Sequence, residues 1–196
     1  LAANRAGGLI ETDDSLLLVI DLQESFLRKM DPVAAERLTD RARFLVEVAL
    51  GLGVPLMVTV EDPARHGLTA APVAAILPPG IIQHDKKVFG LCGQPDLAEA
   101  ILAQPRRTAV IVGLETDVCV LHSAIGLLGL GFRVAIVRDA TGAPGEEHAL
   151  GLDRAAALGV ELVHAKGLYY EWVRSLAGLR ALAATRTIAP PLGSKL

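Results

Sequence analysis

The run Val110-Ile111-Val112-Gly113-Leu114-Glu115-Thr116-Asp117-Val118-Cys119-Val120-Leu121 reads as an apolar strand that ends at a glycine, turns over four residues and enters a helix with a cysteine in its first turn. The first turn of a helix carries free N–H groups and the positive end of the macrodipole, so it favours an anion. A thiol so placed is expected to ionise at a pKa of roughly 3.5–7.5 rather than about 8.5. Parallel sheets hold their ligands beyond the carboxyl ends of their strands, where this cysteine falls. Free cysteine is also one of the most buried residue types and often serves as a small hydrophobe. The rest of the chain therefore has to decide what Cys119 does.

Working outward, aliphatic runs of the same kind recur at 16–21, 55–60, 80–85, 108–112, 132–137 and 160–164. Near-continuous Val/Ile/Leu runs are the mark of strands covered on both faces. Amphipathic patterns separate them: Phe44, Leu45, Val48, Ala49 and Leu52 share one helical face, as do Leu121, Ala124, Ile125 and Leu128, and Leu168, Tyr169, Trp172, Val173 and Leu176. Asp31-Pro32 reads as an N-cap followed by proline at the first helical position, and Gly51, Gly53, Gly129, Gly131 and Gly159 fall at helix ends. Alternating strands and helices predict an α/β fold: three layers, αβα, around a doubly wound, mainly parallel six-stranded sheet. The 196 residues make one domain, with its core over about 15–177 and with 1–13 and about 185–196 as tails or oligomer arms.

Bulk properties narrow the class. The net charge of −3 and the lack of a basic patch argue against a nucleic-acid partner. No apolar run reaches the 18 or so residues of a membrane span. Two cysteines, Cys92 and Cys119, are too few for a disulfide framework, and no leader is visible, so a cytoplasmic protein is expected. The 52% apolar content points to a homo-oligomer.

Three polar residues stand at the strand ends. Asp21 closes the first strand, Lys86 follows the third and Cys119 follows the fourth. A carboxylate can take the thiol proton, and an ammonium favours the thiolate while keeping the carboxylate charged. Singly, each has a plainer reading: Asp21 as a loop cap, Lys86 as a solvated lysine with Lys87 as its competitor, Cys119 as packing. Cys92 reads as a bystander in a Gly-Leu-Cys-Gly loop, Asp117 as a helix cap or solvent-facing residue, and Tyr169 and Trp172 as core. His122, His148 and His164 lack partner spacing.

Together these residues resemble the isochorismatase-like cysteine hydrolases, the superfamily of nicotinamidases, N-carbamoylsarcosine amidases and ureidoacrylate hydrolases. Asp21-Leu22-Gln23-Glu24-Ser25-Phe26 is similar to the family's Asp-x-Gln-x-x-Phe, and Lys86-Lys87-Val88-Phe89 to its Lys-x-x-(Phe/Tyr). The segment from Gly113 to Val120 is similar to its nucleophile loop, and Arg138-Asp139-Ala140 to the Asp-Ala after the fifth strand. The resemblance implies strand order 3-2-1-4-5-6, with Asp21 as general base, Lys86 as electrostatic partner and Cys119 as nucleophile. It also implies a cis peptide between Leu114 and Glu115, and an oxyanion hole from the backbone N–H groups of Glu115 and Cys119. Gln23, Phe26, Phe89, Leu114 and Glu115 are expected to line the substrate pocket. In that strand order the third strand lies about 10 Å from the first, so Lys86 has to lean inward over the sheet.

The implied activity is hydrolysis of a small amide, ureide or related carbonyl compound through a thioester, without a cofactor. The metal-binding nicotinamidases carry an Asp and two His after the second strand. Here Val60-Glu61-Asp62-Pro63-Ala64-Arg65-His66-Gly67-Leu68-Thr69 offers Asp62 and His66 alone, so no metal is expected and the segment is closer to a metal-free branch with Glu-x-Pro and Gly-x-Thr. Isochorismatase proper cleaves a vinyl ether without a nucleophilic cysteine, which sets Cys119 apart. Three alternatives remain: a metal-independent nicotinamidase-like enzyme, a silent oligomeric scaffold of the same fold, and a nucleotide or flavin binder. The last lacks its glycine-rich turn after the first strand.

Overall fold

The first strand, β1 (Ser15–Ile20), is buried along its whole length, and the sheet is built outward from it. The computed structural model describes residues 8–194 and residue 196. Within them β2 (Leu56–Glu61), β3 (Gln83–Lys86), β4 (Thr108–Leu114), β5 (Arg133–Gly142) and β6 (Glu161–Val163) join β1 in a six-stranded sheet ordered β3-β2-β1-β4-β5-β6. All five pairings are parallel. The order reverses between β1 and β4, the switch point where such sheets open a crevice at their carboxyl ends.

Helices cover both faces: α1 (Glu24–Leu27), α2 (Pro32–Leu52), α3 (Pro63–His66), α4 (Ala71–Ala74), α5 (Pro95–Leu102), α6 (Leu121–Gly129), α7 (Glu147–Ala157), α8 (Ala165–Val173) and α9 (Leu176–Thr185). Side chains alternate between faces along each strand. Leu17 and Val19 therefore meet Phe44 and Val48 of α2 and Trp172 of α8 in one apolar cluster. Leu16, Leu18 and Ile20 meet Leu97 of α5, Leu127 of α6 and Leu152 of α7 in the other. Asp31 caps α2, its Oδ1 accepting from the Ala34 N–H at 3.0 Å, and Gly53 closes that helix at a φ of 70°. Tyr169 and Trp172 are core residues, the indole N–H donating to Ser15 Oγ.

Element boundaries differ from the sequence expectation, β4 running on to Leu114 and β3 and β5 changing most. β3 starts later and runs through Lys86, because polar Gln83, His84 and Asp85 suit an edge strand with a half-exposed face. β5 runs on through Arg138-Asp139-Ala140 to Gly142 after a register shift opposite β4 between Ile111 and Gly113. There Asp139 accepts from the Ala165 N–H at 2.8 Å and pairs with Arg41 at 3.0 Å, tying β5 to α8 and α2. The core also extends past 177, since Leu182 of α9 is buried against α2. Of the expected amino-terminal arm, residues 1–7 lie outside the described residues, and Ile10 is packed in the core with its N–H on Glu171. The carboxy-terminal segment folds back onto the chain, where the Leu192 N–H donates to Asp40 Oδ2 at 2.6 Å.

Candidate active site

At the carboxyl end of β1 the chain turns through Asp21, whose φ is 46° and whose side chain is fully buried. A left-handed conformation at a buried, charged, non-glycine residue is tolerated only where surrounding contacts fix it. Thr59 of β2 supplies one such contact, its hydroxyl donating to Asp21 Oδ1 at 2.9 Å. The other oxygen, Oδ2, lies 2.9 Å from Lys86 Nζ.

Lys86 is the last residue of β3, in register with Glu61 of β2. Its stem crosses the end of β2 to reach Asp21, and its ammonium is fully buried. Nζ donates to the Val88 carbonyl at 2.7 Å, sits 3.6 Å from Cys119 Sγ and lies 3.4 Å from Glu61 Oε2. The distance that the strand order imposes is thus spanned by the side chain alone.

Cys119 sits in a π-helical turn, Thr116–Val120, that leads into α6. The helical entrance therefore begins at Thr116, and the cysteine lies on its widened first turn. The Leu114–Glu115 peptide bond is cis. Ahead of it, Gly113 (φ 119°) packs so closely on β1 that a Cβ there would lie 1.9 Å from the Ile20 carbonyl oxygen. Only glycine lets β4 pass β1 at the strand end that bears the site.

The electrostatics correct one expectation. Instead of being depressed by the helix terminus, the Cys119 thiol is pushed well above its ordinary pKa, first by burial and then by the Asp21 charge, with Lys86 opposing. Burial also raises Asp21, against the pull of Lys86. Burial works against the Lys86 ammonium too, but the charges of Asp21, Cys119 and Glu61 outweigh it and hold the lysine above its usual value. Burial and Asp21 thus favour the protonated thiol, while Lys86 and Thr59 favour the charged form of the buried Asp21 carboxyl. Moving the thiol proton to Asp21 leaves a thiolate against the ammonium with no change in net charge. A buried centre can make that move at much lower cost than losing a proton to water.

Glu61, passed over among the loop residues after the second strand, belongs to this centre. The Cys119 thiol donates to its Oε2 at 3.4 Å. The strand-end criterion that selects Asp21 applies equally to Glu61, which follows the aliphatic run at 55–60. Donor atoms of Asp21, Glu61 and Cys119 lie within 4.8 Å of one another, a spacing that could hold a metal ion. The Lys86 ammonium already stands among them as their cation.

The expected pocket residues separate. A cavity of about 190 Å³ opens beside the centre, lined by Glu61, Asp62, Lys86, Lys87, Val88 and Phe89. Phe89 is the one member of the expected set that lines it. Gln23 spends its amide on backbone: Nε2 donates to the carbonyls of Glu61 and Gly67, and Oε1 accepts the Glu61 N–H. Leu114 is a core residue. Phe26 is buried under the His66 ring, 4.8 Å away, and Lys29, and Glu115 forms an ion pair with the same lysine at 2.9 Å. Asp62, which also lines the cavity, lies 3.5 Å from Lys87 Nζ, and His66 is stacked on Phe26. Cys92 is half-buried, against Gly126 of α6.

The isochorismatase domain profile matches residues 15–166. The chain is 29% identical over 174 residues to isochorismatase domain-containing protein 2 of Bos taurus, covering 88% of this chain and 81% of that one. It is 32% identical over 144 residues to the secreted isochorismatase effector Isc1 of Phytophthora sojae, covering 71% and 66%. Among solved structures, the MAR1 ribonuclease of Caenorhabditis elegans superposes with a TM-score of 0.81 at 25% identity, covering 96% of this chain and all of that one. The nicotinamidase PncA of Bacillus subtilis superposes at 0.67 and 18%, covering 77% and 99%. With the profile spanning the sheet from β1 through β6, this chain belongs to the isochorismatase family, a family with a hydrolase fold.

Proposed function

We propose that the protein is a cysteine-dependent hydrolase of a small amide, ureide or related carbonyl compound. The observation that carries this reading is the cluster of Asp21, Lys86 and Cys119 at the switch point, with Nζ 2.9 Å from the carboxylate and 3.6 Å from the sulfur. Cys119 Sγ attacks the carbonyl carbon as its proton passes to Asp21, and the backbone N–H groups of Glu115 and Cys119 receive the developing oxyanion. Collapse breaks the carbonyl carbon–nitrogen bond, the amine leaves with the proton held by Asp21, and a thioester remains. Asp21 then takes a proton from water, the hydroxyl adds to the thioester carbon, the acid departs and the proton returns to sulfur. No cofactor enters either half. The nicotinamidase neighbour supports carbon–nitrogen chemistry on this fold. The ribonuclease neighbour raises phosphodiester cleavage, but the Glu61 carboxylate disfavours a phosphate here, because the cavity's two lysines are engaged by Asp21, Asp62 and Asp85. We further propose that the protein works as a homo-oligomer, as does the octameric hydrolase YcaC of Escherichia coli.

The test is a turnover screen of primary amides and N-carbamoyl compounds by ammonia release, with an RNA oligonucleotide alongside. Turnover of an amide or ureide that falls roughly 10³-fold or more in Cys119→Ala supports the proposal. Activity that survives in Cys119→Ala, or cleavage of RNA alone, overturns it.

A further inference from the structure

Glu61 is held more firmly than a residue at the end of a strand requires. Its N–H donates to Gln23 Oε1 at 2.8 Å and its carbonyl accepts from Gln23 Nε2 at 3.0 Å, so one buried amide fixes both sides of its backbone. Its side chain reaches over the nucleophile candidate. Oε2 accepts from Cys119 Sγ and from Lys86 Nζ, each at 3.4 Å. Among the described residues these contacts all fall on Oε2, leaving Oε1 for a donor in the cavity that Glu61 lines.

Charge around that cavity is unevenly matched. Lys86 is closer to Asp21, at 2.9 Å, than to Glu61. Lys87 is engaged by Asp85 at 2.9 Å and Asp62 at 3.5 Å. Both lysines thus have a nearer or separate carboxylate partner, and Glu61 brings surplus negative charge to the cavity beside the sulfur. Val88 and the exposed Phe89 ring complete the wall. A carboxylate and an aromatic face together suit a nitrogen-bound hydrogen or a cation, and disfavour an anion.

We propose that Glu61 is the specificity-determining residue of this site, a carboxylate latch that takes an N–H donor or cationic nitrogen carried by the substrate beside its scissile carbonyl and thereby releases the Cys119 thiol towards Asp21. The inference rests on Cys119 being the nucleophile. Before substrate arrives, the thiol hydrogen is held on Glu61. A substrate N–H competes for that oxygen, and the freed thiol turns to the buried carboxylate that can accept its proton. Ureides, carbamoyl compounds and amides bearing an amino or amidino group fit this latch. Acyl groups with an adjacent carboxylate do not.

The probes are three methanethiosulfonates: the 2-trimethylammonioethyl, methyl and 2-sulfonatoethyl compounds. Their rates at Cys119 are read by peptide mass spectrometry and normalised to a free small thiol. The expected wild-type order is cation, neutral, anion, with the cation favoured over the anion by about tenfold or more. Glu61→Gln collapses that ratio to within about threefold and accelerates the neutral reagent, whereas Asp62→Asn leaves the ratio within about twofold of wild type. Should Glu61→Gln fail to fold, wild type decides alone. Near 1 M salt, where the Debye length is about 3 Å, a preference that depends on Glu61 at the partly open mouth shrinks severalfold. A wild-type protein without charge preference, a ratio kept in Glu61→Gln, or a salt-insensitive preference overturns the latch. Failure of the underlying reading looks different, because Cys119 would then react with none of the three reagents faster than Cys92.

Discussion

Asp21 combines full burial, a carboxylate and a φ of 46°, and each of these is unfavourable alone. What holds it is the Thr59 hydroxyl on one oxygen and the Lys86 ammonium on the other. Asparagine keeps the shape and tolerates the left-handed backbone, so Asp21→Asn isolates the charge. With that charge gone, its repulsion of a thiolate is removed while the ammonium stays 3.6 Å from the sulfur, and the thiol ionises more readily. Asp21→Asn should therefore alkylate faster with iodoacetamide at neutral pH while losing turnover by roughly 10³-fold. Lys86→Met should lose both. Slower alkylation in Asp21→Asn would mean that the carboxylate activates the resting thiol. The raised thiol also carries a stability signature. An unfolded cysteine gives up its proton above about pH 8.5 while the folded one keeps it, so this contribution is whole below that pH and is lost as pH rises towards the folded value. Urea denaturation should show wild type losing about 1 kcal/mol relative to Cys119→Ser between pH 8.5 and 9.5. A constant difference would place the folded thiol at an ordinary value. Residue types at strand ends make Asp21, Lys86 and Cys119 visible in the sequence. The protonation state is not visible there, because burial and the Asp21 charge, both tertiary, override the helix terminus.

The element that positions Cys119 is β4 with its turn, and Gly113 is its constraint. A methyl group there would lie 1.9 Å from the Ile20 carbonyl, at a φ of 119° that side chains rarely adopt. Gly113→Ala should cost about 3 kcal/mol or more in a urea melt, because β1 and β4 must separate where the site lies. A loss below about 1 kcal/mol would show that the strand end yields easily. Strand and helix positions were legible in the sequence because fully covered strands are uniformly aliphatic, and the Asp31 cap and Gly53 terminus bracket α2 as its residues imply. The edge strand β3 and the continuation of β5 were not, since polar edge residues and a register shift leave no aliphatic run to read. Gln23 shows the same limit: its type and spacing marked it, but only its backbone partners in β2 and beyond show that it positions Glu61.

Across the whole molecule, the reversal of strand order puts β1 and β4 side by side, so residues almost a hundred positions apart in sequence share one centre. The α/β class followed from alternation along the chain, and the strand order from the family resemblance. The cavity did not follow from either, because its walls come from β2, β3 and the segments that follow them, whose partners are set by packing. Among the described residues no helix is long and apolar enough to cross a membrane. The central claim is that Cys119 carries the acyl group between two half-reactions. Its most direct test is acid-quenched peptide mass spectrometry after mixing the protein with p-nitrophenyl acetate, an activated acyl donor that needs no knowledge of the natural substrate. The account predicts a burst of p-nitrophenolate and a transient acetyl group on the Cys119 peptide that decays by hydrolysis, with Cys92 unmodified. Acetylation confined to Cys92 or surface lysines, or steady release of p-nitrophenolate with Cys119 never acetylated, would contradict it.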